Sequence, residues 1–128
     1  MSRDASITFE WGDGETTFRL DIKHLEKLQE ARDCGPMVLL DRLSSGRWLV
    51  QDIREVIRWG IIGGGKQPAE ASRLLRLYFE GDFPGVDNLL AAIRILGHGI
   101  VGPPEEAPGE TEAPNPAESE LTISPTAS

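Results

Sequence analysis

The chain has 128 residues and a net charge of −8, and its charges are unevenly distributed. All 13 basic residues lie in residues 1–101, together with 15 of the 21 acidic residues, so this part is close to neutral. Such a body gives no electrostatic reason to expect direct contact with nucleic acid. No segment approaches the roughly 20 apolar residues of a membrane span, and the N-terminal residues lack the apolar core of a signal peptide. The sequence therefore predicts no membrane contact.

Residues 102–128 differ sharply from the rest. They hold six Glu and six of the nine prolines, with no Lys, no Arg and no aromatic residue. Leu121 and Ile123 are their only large aliphatic side chains. Such a segment cannot bury enough apolar surface to offset the entropy lost on ordering. The sequence predicts one domain over residues 1–101 and a disordered, acidic Pro/Glu-rich tail over residues 102–128.

Residues 7–20 (ITFEWGDGETTFRL) predict a β-hairpin. The Asp13-Gly14 pair is a strong signal for a type I′ turn, in which both central residues take positive φ. With this pair at the tip, Phe9 faces Phe18, and the apolar and polar residues separate onto opposite faces. Because a lone hairpin is barely stable in water, its apolar face is expected to pack on the segments that follow.

Five short helices are predicted after the hairpin, which makes the expected fold α+β and mainly α. Asp21 is suited to cap a first helix over residues 22–33, and Gly35 and Pro36 would end it. The second helix covers residues 36–43, the third begins near Val50, the fourth opens at Pro68, and the fifth runs from Val86 to a glycine-rich end at residues 97–99. The residues expected to line the buried faces are Ile22, Leu25 and Leu28; Met37, Leu40 and Leu43; Val50, Ile53, Ile57 and Ile61; Ala71, Leu74, Leu75 and Tyr78; and Val86, Leu89, Leu90 and Ile93.

Residues 60–66 (GIIGGGK) have the two glycines and the lysine of a phosphate-binding P-loop at the right spacing. Gln67, however, stands where a Ser or Thr would hold Mg²⁺, and the run follows an amphipathic helix instead of a strand. A helix terminator is therefore the favoured interpretation. A nucleotide-binding enzyme using this loop is a much less favoured alternative.

The chain offers little else for catalysis or for metal binding. Cys34, His24 and His98 are too widely spaced in the sequence for a zinc site. The single cysteine cannot form an intramolecular disulfide, and no base is placed to activate it as a nucleophile. The sequence predicts no catalytic residue, no metal and no cofactor, and hence a protein that is not an enzyme.

Three tryptophans are many for so small a domain. Trp11 belongs to the apolar face of the hairpin, Trp48 precedes the third helix, and Trp59 lies off that helix's predicted buried face. The favoured interpretation is that Trp48 and Trp59 cover the edge of the core. The alternative is a surface for a protein partner, because exposed aromatic residues are frequent anchors. On that alternative Trp48, Trp59 and Ile62 are the predicted partner-binding residues.

Several segments, taken in order, resemble the small tail protein family of bacterial gene transfer agents and related phages. After the hairpin, the similar segments are LEKLQEA (residues 25–31), GRW (46–48), VIRWGIIGGG (56–65) and AAIRIL (91–96). The resemblance extends over about residues 5–102 and leaves the acidic tail outside. None of these segments is a catalytic motif.

This resemblance implies a non-enzymatic role in building a tail. Members of the family are described either as tail assembly chaperones, which bind the tape-measure protein and bring tail tube proteins to it, or as tube proteins that polymerise. A tube subunit is expected to need long strands, so the single short hairpin favours a chaperone and leaves a structural tube subunit as the alternative. The expected partners are the tape-measure and tail tube proteins, with self-association left open. The expected location is the bacterial cytoplasm, or an assembled phage-like particle if the protein is a tube subunit.

Overall fold

The computed structural model describes residues 6–81 and 85–102. Strands β1 (Ser6–Trp11) and β2 (Gly14–Arg19) form an antiparallel hairpin. It is followed by α1 (Ile22–Arg32), α2 (Pro36–Ser45), α3 (Val50–Gly63), α4 (Pro68–Leu75), a π-helical segment (Arg76–Glu80) and α5 (Gly85–Val101). The predicted α+β, mainly α fold is confirmed. The disorder predicted for the acidic tail lies, from residue 103 onward, outside the described residues.

Three helices begin at the residues that the sequence singles out. The Asp21 carboxylate caps α1 by accepting the backbone N–H of His24 at 3.0 Å. Helix α1 ends at Asp33, which takes a left-handed conformation with φ 56°. Pro36 and Pro68 stand in the first turns of α2 and α4, where proline costs no helical hydrogen bond. Local signals therefore set the starts of α1, α2 and α4.

The hairpin register differs from the predicted one by two residues. Phe9 pairs with Thr16, and Phe18 pairs with Ile7. The loop consists of Gly12 and Asp13 rather than Asp13 and Gly14, and Gly12 takes φ 71°, as the first central residue of a type II′ turn does. A contact explains this choice: a Cβ atom on Gly12 would lie 2.9 Å from Cδ2 of Tyr78. Only glycine lets the Tyr78 ring pack against the loop.

The two-residue shift leaves every side chain on its predicted face, because strand side chains alternate with a period of two. Trp11, Thr16, Phe18 and Leu20 are buried. Phe9 and Phe18 are diagonal neighbours whose rings stack with their centroids 4.8 Å apart. The apolar face is thus confirmed, whereas the direct pairing of the two phenylalanines is wrong.

The core lies between the hairpin, α3 and α5. On α3, Ile53, Ile57 and Ile61 are buried as predicted, but Val50 is exposed. On α4, Ala71, Leu74 and Leu75 are buried as predicted, and Tyr78 in the π-helical segment is half-buried. Several remaining predictions for the buried faces are wrong: Ile22, Met37, Val86 and Leu90 are exposed, whereas Leu39, Ala91, Ala92, Ile95 and Leu96 are buried.

The buried face of α5 explains one of these errors. The centre of this face consists of two small residues, Ala91 and Ala92. The prediction considered only larger apolar residues and therefore did not include them. They let α5 approach α3 closely, so that a Cβ atom on Gly60 would lie 2.9 Å from Cγ2 of Ile95. The helix also continues through the glycines at residues 97 and 99 to Val101, beyond its predicted end.

The C-terminal end of α3 lies against the outer edge of β2. In the observed register, the carbonyl groups of Thr17 and Arg19 point away from β1. A Cβ atom on Gly63 would overlap the Arg19 carbonyl oxygen, and one on Gly64 would overlap that of Thr17. The glycines therefore let a helix end cover a strand edge, a device that keeps an edge from pairing with another strand.

Candidate functional site

The segment that resembles a P-loop has no free amides for a phosphate. The N–H of Gly64 donates to the carbonyls of Gly60 and Ile61, and the N–H of Gly65 donates to that of Ile62 at 3.0 Å. The N–H of Lys66 donates to Ile61 at 3.3 Å. These bonds end α3, and a helix C-terminus carries a partial negative charge that disfavours phosphate. A P-loop instead presents free amides at a helix N-terminus.

We therefore expect no nucleotide binding at residues 60–66. Lys66→Ala should leave the free energy of unfolding nearly unchanged, because Lys66 is exposed. Titration with ATP or GTP, followed by calorimetry, should show no saturable heat with either protein. Micromolar binding that disappears in Lys66→Ala would contradict this expectation.

Within residues 6–81 and 85–102, no cluster of three or more His, Cys, Asp or Glu side chains could hold a metal ion. No helix in the same ranges is both long enough and apolar enough to cross a bilayer. Cys34 is a half-buried free thiol beside the α1–α2 junction.

The strongest electrostatic feature is a buried carboxylate that joins three helices. Asp52 on α3 is fully buried and accepts hydrogen bonds from Arg32 on α1 at 2.8 Å and from Arg42 on α2 at 2.7 Å. It also accepts the Leu49 backbone N–H at 2.8 Å, which satisfies one free amide at the start of α3. Burial alone would raise the pKa of Asp52, but the bonds from Leu49 and the two guanidinium groups outweigh it and lower the pKa. This arrangement is that of a structural ion cluster, since every acceptor oxygen of Asp52 is occupied by the protein itself.

Two of the predicted partner-binding residues, Trp59 and Ile62, lie on α3. Trp59 and Ile62 are three residues apart, so they share one side of the helix. Both are half-buried, and their side chains also pack against the core. The Trp59 indole N–H donates to Glu55 at 3.2 Å, and the guanidinium of Arg58 lies 5.7 Å from the ring centroid. The exposed part of this α3 flank is therefore an aromatic surface bordered by charges.

Trp48 lies at the other end of the same helix. It is half-buried, packs against the core, and precedes the exposed Leu49 and Val50. From Val50 to Trp59 the helix rises by about 14 Å. The structure thus places Trp59 and Ile62 in the C-terminal half of α3 and Trp48 just before its first residue, rather than all three in one cluster.

A second surface was not predicted from the sequence. An open groove of about 570 Å³ lies between β1, the π-helical segment and the N-terminal half of α5. Leu77 and Leu90, which are 49% and 53% exposed, line it together with Phe9, Tyr78 and Arg94. The Arg94 guanidinium lies 4.2 Å from the centre of the Phe9 ring. The apolar pattern of the sequence predicts that Leu90 is buried in the core, so it gives no indication of this surface.

Comparison with known proteins identifies the protein family. The family described as "Phage tail tube protein, GTA-gp10" matches residues 4–102, which is most of the chain and all of its described helices and strands. The chain belongs to this family, and it is a phage-like tail protein of the gene transfer agent type. Searches of curated proteins and of solved structures give no match.

Proposed function

We propose that this protein is a non-enzymatic tail assembly chaperone that binds the tape-measure protein and helps bring tail tube proteins to it. One observation favours a chaperone over a tube subunit: the outer edge of β2 is covered by the end of α3. Gly63 and Gly64, which have no Cβ atom, allow the end of α3 to pack against that edge. A subunit that continues a β-sheet from neighbour to neighbour around a ring needs two free strand edges. The described hairpin offers at most one.

The α3 flank is the proposed contact for the tape-measure protein. Trp48 at one end and Trp59 with Ile62 at the other span about 14–18 Å along the helix axis. A partner helix lying alongside α3 could contact these positions with apolar residues that are about two to three turns apart in its own sequence. Amphipathic helices are commonly bound in this way, through several anchor residues. Arg58 and Glu55 border Trp59 and would pair with charges beside the partner's apolar stripe.

Charged substitutions on this flank test the contact. Trp59→Glu and Ile62→Glu should each weaken binding of the tape-measure protein at least tenfold, since loss of a central anchor typically costs more than about 1.4 kcal/mol. Val86→Glu is the matched control, because Val86 is an exposed apolar residue on α5, 70% accessible and outside this flank. Affinity is measured by calorimetry or by co-purification, with thermal unfolding confirming that each variant is folded. Equal binding by all three folded variants would contradict the proposed surface.

The tube-subunit alternative is favoured by the family itself, whose description is that of a tail tube protein. Deleting the gene should give heads without tails under either function. The two functions differ in where the protein ends up: a chaperone leaves the finished tail, whereas a tube subunit remains in it at many copies.

A further inference from the structure

We propose that residues 120–124 (ELTIS) of this same chain bind along the free edge of β1 as a third strand, within the groove between β1 and α5. The proposal concerns an intramolecular contact and does not depend on the tape-measure partner. It uses a surface separate from the α3 flank.

The first support is the unused backbone of β1. In a two-residue hairpin whose loop is Gly12-Asp13, the backbone groups of Thr8 and Glu10 point away from β2. Among the described residues, neither backbone donates to nor accepts from any group beyond the hairpin. Unpaired donors and acceptors in a row are a template for another strand.

The second support is the chemistry of the groove beside that edge. A strand added to β1 would direct alternate side chains toward α5 and toward solvent. The side toward α5 meets the exposed Leu77 and Leu90. The groove therefore fits a short segment in which two large apolar residues are separated by one polar residue.

The acidic tail contains one segment of that pattern. Leu121 and Ile123 are the only large aliphatic residues in 102–128, and they flank Thr122. A strand over residues 120–124 would place both on one face and would turn Thr122 to the solvent side, where Thr8 and Glu10 are exposed. No other stretch of residues 102–128 offers two large aliphatic side chains at this spacing.

The length of chain after α5 suits this contact. Leu90 lies about 17 Å from Val101 along the helix axis. Residues 103–119 connect α5 to the segment, and 17 residues can reach up to roughly 56 Å when fully extended, well beyond this distance. Because the segment belongs to the same chain, its contact with the groove is intramolecular, which favours occupation of a site that would be weak between separate molecules. Occupation would close the last free edge of the hairpin against a second copy of the chain.

Amide hydrogen exchange in the full-length protein tests this directly. In the wild type, the amides of Thr8 and Glu10 should exchange roughly three- to tenfold more slowly than in Leu121→Asn/Ile123→Asn, as expected for a tethered site that is mostly occupied. Leu90→Asn, which changes the groove instead of the tail, should speed exchange at the same two amides. Thr122→Asn is the matched control and should retain the wild-type rates.

Two results would overturn the proposal. Equal exchange rates at Thr8 and Glu10 in the wild type and in Leu121→Asn/Ile123→Asn would show that the segment does not cover the edge. Protection that rises with protein concentration, together with a larger species in sedimentation, would assign the edge to a second copy of the chain instead.

Discussion

Replacing Gly63 with alanine should destabilise the fold more than any other single methyl addition to α3. The new Cβ would overlap the carbonyl oxygen of Arg19, and both partners are backbone, so neither can turn aside like a flexible side chain. Overpacking of this kind costs about 3 kcal/mol or more. In a domain of this size the midpoint of thermal unfolding should fall by more than about 12 °C, or cooperative unfolding should disappear.

Gly97→Ala is the matched control for this change. Gly97 is also a helical glycine, but a Cβ atom there meets nothing within 4 Å. Alanine is favoured over glycine in a helix by about 1 kcal/mol, so the control should be as stable as the wild type or slightly more stable. If Gly63→Ala and Gly97→Ala unfold at the same temperature, α3 does not cover the edge of β2 as described.

Removing the Asp52 carboxylate should also lower the free energy of unfolding strongly. Asp52→Ala leaves the guanidinium groups of Arg32 and Arg42 partly buried without their counterion, and it uncaps the Leu49 amide. Breaking one side of a buried ion pair costs about 3–5 kcal/mol. Urea unfolding should show this loss as a lower midpoint with an unchanged slope.

The control is Asp41→Ala, which removes a carboxylate from an exposed pair with Arg47. Exposed pairs contribute about 0–1 kcal/mol, so this variant should stay close to the wild type. A loss of similar size in both variants would contradict the special role of Asp52.

The same carboxylate predicts a pH dependence. Because the folded state lowers the pKa of Asp52, its contribution is fully present above the unfolded value of about 3.9 and is lost as pH falls through the lower folded value. The difference in unfolding free energy between the wild type and Asp52→Asn should therefore be constant from pH 7 to about pH 5. It should shrink below about pH 4. A difference that instead shrinks between pH 7 and pH 5 would assign the effect to another group.

The starts of α1, α2 and α4 could be predicted because their causes are local. Asp21 caps α1 through a residue three positions away, and Pro36 and Pro68 open helices through their own fixed φ. The hairpin register could not be predicted in the same way. It depends on the Tyr78 ring packing against Gly12, a contact between residues 66 positions apart that no local turn preference contains.

The candidate surfaces were predictable only in part. The apolar pattern predicts large residues in the core, so it places the exposed Leu90 there and does not include the small buried Ala91 and Ala92. Gly63 and Gly64 form the helix terminator that the sequence predicts, but their packing on β2 needs the three-dimensional fold. Asp52 gave only the signal of an acid in a first helical turn, because its partners Arg32 and Arg42 come from two other helices.

The most direct test of the chaperone function is quantitative mass spectrometry of purified phage-like particles, together with the lysate from which they come. The proposed function predicts that the protein is abundant in the lysate, co-purifies there with the tape-measure protein, and is absent from finished tails. Many copies per finished particle, in a fixed ratio to the tail length, would contradict the chaperone and establish a structural tube subunit.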